Sequence, residues 1–163
     1  ITRVMTVEKL KKIIEYLQRK VLYYLGLQEE ARLELLEKAK KLLGKDLSSI
    51  APNSLGCAET ISRVIHEDEP LFPIITGTAT LLTVLRSKPN WIEISTPEIG
   101  SIIISPTGYG KNRLAHGHCG LIGEKGIIYS NNSNTGLFDD HLTLDSWKVI
   151  FKDFPTFYFS QRK

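Results

Sequence analysis

The 163-residue chain predicts an α+β fold in which helices come first and an antiparallel sheet follows. Up to about Arg86 the apolar residues recur at three- and four-residue steps, the period of amphipathic helices. Beyond Pro89 the texture changes to short β-branched runs punctuated by Gly, Pro and Asn, the composition of strands and turns. No internal repeat or low-complexity tract interrupts this order.

From Thr6 to Leu25 the residues Leu10, Ile13, Ile14, Leu17, Val21 and Leu25 form one apolar stripe, with Thr6 placed to cap the start and Gly26 to end the helix. A second helix is expected from Gln28 to Leu43, acidic early, lysine-rich late, and stopped by Gly44. Together they predict an N-terminal helical hairpin over residues 1–44, either plain packing or an arm for self-association or partner contact, joined to a domain over 45–163. Pro52-Asn53-Ser54 breaks the chain, and a helix resumes from Cys57 to about His66 before Glu67-Asp68-Glu69-Pro70 ends it. A core helix follows from about Thr78 to Arg86. The expected strands are 91–95, 100–105, 116–122, 127–130, 148–151 and 157–159, with Gly123-Glu124-Lys125-Gly126 as a hairpin connection.

Hydrophobic content of 42% and charged content of 24% exclude a disordered or fibrous chain, and the length suits one domain with an appendage. A net charge of only +3 without a long basic run gives no basis for nucleic-acid binding. The pI near 8.8 suits weak attraction to an anionic polymer such as a cell wall. No stretch approaches the roughly 18–20 apolar residues of a membrane span. The chain begins at Ile1 rather than Met, so a fragment or processed product is expected, with any export signal out of view.

Two cysteines, Cys57 and Cys119, are too few for a disulfide framework, although one bridge between them is conceivable. In Asn53-Ser54-Leu55-Gly56-Cys57-Ala58-Glu59 a turn-forming run delivers Cys57 onto the first turn of a helix, where free amides and aligned peptide dipoles favour a thiolate. The competing reading is a buried small hydrophobe. Ala115-His116-Gly117-His118-Cys119-Gly120 supplies imidazoles on an expected strand. Alternation puts His116 and His118 on one face, either able to serve as base, and with His118 toward the thiol Cys119 is expected to point away as a structural cysteine. The next strand ends at Tyr129-Ser130-Asn131-Asn132-Ser133, which offers amide oxygens to orient an imidazole. Asp139-Asp140-His141 reads as a polar turn, with metal binding as the alternative, and Trp91 and Trp147 read as core edges or sugar-stacking rings.

Cys57 opening a helix, Thr96-Pro97-Glu98-Ile99-Gly100-Ser101 leading a hydrophobic strand, and His118-Cys119-Gly120-Leu121-Ile122 together resemble the NlpC and CHAP papain-like cysteine peptidases. Tyr129 to Gly136 and Leu144-Asp145-Ser146-Trp147 resemble bacteriophage-type cell-wall lysins (endolysins) within that group. The resemblance spans about residues 45 to 160. Gly56 stands where the family has Asp or Asn, Ser101 where it has Asp, and Cys119 where it has Val.

The resemblance implies a papain-like fold, a nucleophile helix packed on the sheet, and a peptidoglycan substrate met at the cell wall by a secreted, periplasmic or phage-delivered protein. It implies Cys57 as nucleophile, His118 as base and then acid, and Asn131 as the third group, with Asn132 and Ser130 close behind. The Cys57 amide, with Asn53 or Ser54, is then expected to hold the oxyanion, and His116 to contact substrate. No cofactor or metal is expected on this reading. Two alternatives stay open: a zinc-dependent wall hydrolase using His116 and His118 with His66, His141 or a carboxylate, and a non-catalytic wall-binding or assembly module.

Overall fold

A computed structural model describes residues 7–111 and 116–162, and the side chains of 7–9 and 53 are not described. The expected cap at Thr6 lies outside the described residues. Four helices, α1 (Val7–Lys40), α2 (Cys57–Asp68), α3 (Thr78–Ser87) and α4 (Leu144–Ile150), accompany six strands. The strands are β1 (Trp91–Ile94), β2 (Ile102–Ser105), β3 (His118–Ile122), β4 (Ile127–Asn131), β5 (Phe138–Thr143) and β6 (Phe157–Gln161). They make one sheet in the order β1-β6-β2-β3-β4-β5, and every neighbouring pair is antiparallel. The α+β class is as the sequence predicts.

The N-terminal hairpin does not form. Residues 7–40 make a single 34-residue helix that runs straight through Gly26. One glycine inside a helix costs only about 1 kcal/mol relative to alanine. Gly26 takes no left-handed turn, and the good helix formers Leu27-Gln28-Glu29-Glu30 follow it. The chain turns instead at Gly44, whose φ of +80° supplies the left-handed conformation, and whose N–H donates to the carbonyl of Phe138. From Ala31 onward α1 belongs to the body of the protein: Leu35, Leu36 and Ala39 are buried in the main core beside Ile61 and Ile65 of α2. Arg32 pairs with Glu98, tying α1 to the turn before β2.

The sheet separates two apolar layers. On one face Ile102, Ile104, Cys119, Leu121 and Phe159 pack against α2 with α3 and the end of α1. On the other, Ile103, Ile122 and Ile128 pack against Trp147 of α4. Trp91 and Trp147 are both core residues, and their indole N–H groups donate to Glu69 and Ser105.

Two elements correct the expectation. Residues 144–150 are helical where a strand at 148–151 was expected, because Thr143 and Ser146 form a reciprocal capping box that starts α4. Asp139-Asp140-His141 lies in the edge strand β5 rather than in a turn; Phe138 anchors that strand in the core, while its polar residues face outward at the sheet edge.

The seam between α1 and the sheet is tight at Gly100. This residue sits at φ +80°, and a Cβ there would lie 2.4 Å from the Arg32 carbonyl oxygen. Gly100→Ala is therefore expected to lose roughly 2–4 kcal/mol of stability from left-handed strain plus overpacking. Urea unfolding followed by tryptophan fluorescence measures it, and a loss below about 0.5 kcal/mol contradicts the seam.

Candidate active site

The start of α2 is fixed from beneath. Glu59, in the first turn, is fully buried and accepts hydrogen bonds from the backbone N–H groups of Ser49, Ile50 and Ala51 and from the guanidinium of Arg63. Burial pushes this carboxyl up, but those amides and Arg63 outweigh it and hold it down to about 2. The loop before Cys57 is thus wound onto a side chain of the helix that Cys57 opens. Gly56 completes the seat: a Cβ there would lie 2.5 Å from the Ser48 Cβ, so the Asp or Asn of the resembled family has no room.

Cys57 opens α2 at the floor of a cleft of about 600 Å³ and is 7% exposed. Leu55, Thr78, Thr107, His116, His118 and Phe151 are among the residues that line this cleft. The thiol is held well below the ordinary cysteine range. The largest cause is a hydrogen bond with Cys119; burial opposes it, and a hydrogen bond and the charge of His118 and the backbone N–H of Ala58 add to it. Cys119 moves the opposite way, pushed up by complete burial and by the adjacent Cys57 sulfur, so it stays a protonated donor. Both cysteines are free.

This corrects the expected direction of Cys119. In β2–β3 register Cys119 pairs with Ile104 and His118 with Ser105. Cys119 therefore shares the α2 face with Cys57, and the His118 ring lies against the aromatic residues of the opposite face. It stacks on Phe151 with ring planes 2° apart and centroids 5.9 Å apart, beside Trp147. His118 begins its strand and lines the cleft, and from there it helps hold the Cys57 thiol low. Gly117 makes the approach possible: a Cβ there would lie 2.2 Å from the Ser105 carbonyl oxygen, and its own carbonyl sits 3.9 Å from the Cys57 sulfur.

The other expected residues are only partly brought together. His116 is exposed, precedes β3 and lines the cleft, as does Ser54. The side chain of Asn53 lies outside the described set. Asn131 is buried at the end of β4, its carboxamide oxygen 3.5 Å from where a Gly56 Cβ would be, beneath the helix start. Nε2 of His118 is buried without a hydrogen-bond partner among the described residues, so the bond expected from Asn131 to this ring is not made here. Asn132 instead organises the β4–β5 turn, donating to Asp139 and accepting from the Asn134 amide. Ser130 is buried on β4. Among the described residues no group of three or more His, Cys, Asp or Glu is placed to hold a metal ion. Thr78 and Thr107, joined by a hydrogen bond of 3.1 Å, form a wall that no sequence signal marks. Asp139 pairs with His141, whose ring centroid lies 6.3 Å from that of His118.

No protein-family model matches this chain, and no curated protein matches it.

Two outcomes are expected. Cys57 should react with iodoacetamide at pH values where an ordinary thiol is protonated, while Cys119 stays unlabelled; Cys119→Ala should move the midpoint of Cys57 labelling upward by about one pH unit, the loss of one hydrogen bond to a charged group. Peptide mass mapping across pH reads both. Glu59→Gln should cost roughly 3 kcal/mol at pH 7. The folded carboxyl is depressed from 4.5 to about 2, so its contribution is complete above 4.5 and fades as pH falls toward 2. The difference between wild type and variant in denaturant unfolding should shrink across that window and stay flat above it.

Proposed function

We propose that this protein is a cysteine hydrolase of papain-like type that cleaves an amide bond in the stem or cross-link peptides of bacterial peptidoglycan. The observation that carries the reading is the placement of Cys57 at a helix start in an open cleft that His118 also lines, and His118 helps hold the thiol low there. The wall substrate rests on the resemblance of the Cys57, Gly100 and His118 segments to NlpC and CHAP peptidases and of the Tyr129 and Leu144 segments to phage-type lysins, with the mildly basic balance in accord.

In this mechanism the Cys57 thiolate adds to the peptide carbonyl carbon, and the resulting oxyanion is stabilised at the start of α2, where the first amides have no intrahelical acceptor. The imidazolium of His118 gives its proton to the leaving amine as the C–N bond breaks, leaving a thioester on Cys57. Neutral His118 then takes a proton from water, whose oxygen attacks the thioester and releases the carboxylate and the thiolate. Phe151 and Trp147 hold the imidazole plane, and Cys119 supports the thiolate between turnovers. Asn131, beneath the helix start, makes no bond to Nε2 of His118, so this reading rests on the Cys57–His118 pair.

Digestion of purified peptidoglycan followed by mass spectrometry of the released fragments tests the assignment. Cys57→Ala should lower amide cleavage by a factor of roughly 10³ or more, and chelator should leave the wild-type rate unchanged. Cleavage that survives the substitution overturns the thiol mechanism, and sensitivity to chelator then assigns the chemistry to a metal on the histidines. The wild-type rate should follow a bell-shaped pH profile whose two limbs belong to the Cys57–His118 pair jointly.

A further inference from the structure

The apolar stripe of α1 continues beyond the body of the protein. Leu10, Ile14, Leu17, Val21 and Tyr24 follow each other at alternating steps of four and three residues, and each is between 45% and 56% exposed. That spacing is the a/d repeat of a coiled coil, with β-branched Ile14 and Val21 at one position and the larger Leu10, Leu17 and Tyr24 at the other. No charged residue interrupts it, and Lys12, Glu15 and Arg19 fall on the opposite side. By helical periodicity the stripe has the same azimuth as Ala31, Leu35 and Ala39, which the protein's own core covers. Helices in proteins draw most of their stability from packing an amphipathic face rather than from propensity, so the bare half of this face calls for a cover.

We propose that this cover is a second copy of the same segment, packed antiparallel. Direction follows from the fold: from Ala31 onward the sheet and α2 occupy the stripe's azimuth, so a parallel partner in register would run into the domain. An antiparallel partner places the two domains at opposite ends of the coil. The side chains fit that direction. Centred between Ile14 and Leu17, the two copies set Leu10 against Val21 and Ile14 against Leu17, so each larger residue meets a β-branched one. The flanking positions bring Lys11 to Gln18 and Ile13 to Lys20, and no two lysines face each other. The contact is isologous and closes as a dimer.

Sedimentation velocity of the whole chain over a concentration series, with Ile14→Lys, Leu17→Glu and the double variant, decides the matter. Wild type should sediment at twice the chain mass. Each single change should weaken the dimer by at least 100-fold, and far-UV circular dichroism should show the folded domain retained because both sites are exposed. The double variant should recover dimers at low salt, since each introduced lysine meets the introduced glutamate of the other copy. Double variants as monomeric as the single ones would overturn the antiparallel arrangement, because a parallel pair sets like charges together. A monomeric wild type overturns the proposal, and its co-sedimentation with vesicles containing phosphatidylglycerol would assign the stripe to a membrane surface.

Discussion

The buried carboxylate of Glu59 is the constraint from which the site follows. A charge with no solvent exposure is tolerable only with nearly complete hydrogen bonding, and here the partners are the consecutive amides 49–51 together with Arg63. Satisfying the charge winds the loop before Cys57 around the first turn of α2. Ser48 is thereby brought against Gly56, and Cys57 is left facing the cleft at the helix start. The same carboxylate adds negative charge near the positive end of the helix dipole, close to the Cys57 thiol. Depression of the Cys57 thiol therefore depends on nearer groups, which is why Cys119 and His118 both matter.

Strand β3 supplies those two groups from opposite sides of the sheet. Alternation forces adjacent residues apart, so the strand cannot aim His118 and Cys119 at one sulfur from mid-sheet. It succeeds because His118 is the first residue of the strand, where the sheet ends and the cleft begins. The imidazole is braced by the aromatic layer on the α4 side, and the thiol of Cys119 approaches through the core on the α2 side. The Cys57 sulfur thus lies where both layers reach the sheet edge. A residue without hydrogen-bonding capacity at position 119 would keep the packing and lose that contribution to the thiolate.

Periodicity recovers most of the fold and misses it for definite reasons. α2, α3 and the strands β1 to β4 and β6 are legible in their apolar patterns and turn residues. β5 is not, since Asp139, Asp140 and His141 give an edge strand the composition of a turn. α4 was readable in principle from Thr143 and Ser146 as a capping box, but Val149, Ile150 and Phe151 resemble strand residues. At Gly26 the glycine signal misleads, because a terminator acts only where the chain has something to gain by turning. The stripe on α1 reports which face is apolar, and the body of the protein covers that face only from Ala31 onward.

The site was legible to a different depth. Cys57 and His118 stand out as candidates because a helix start and a strand start are local features of the sequence. Their neighbours are not local. Thr78 at the start of α3, Thr107 after β2 and Phe151 after α4 come from separate elements and meet around the cleft in the fold. Asn131 shows the limit most clearly: the strand pattern fixes that it lies beside β3, and only the packing of Gly56 on Ser48 decides that its carboxamide sits beneath the helix start. On the β5 side of His118 stands His141, paired with Asp139, its ring centroid 6.3 Å from that of His118.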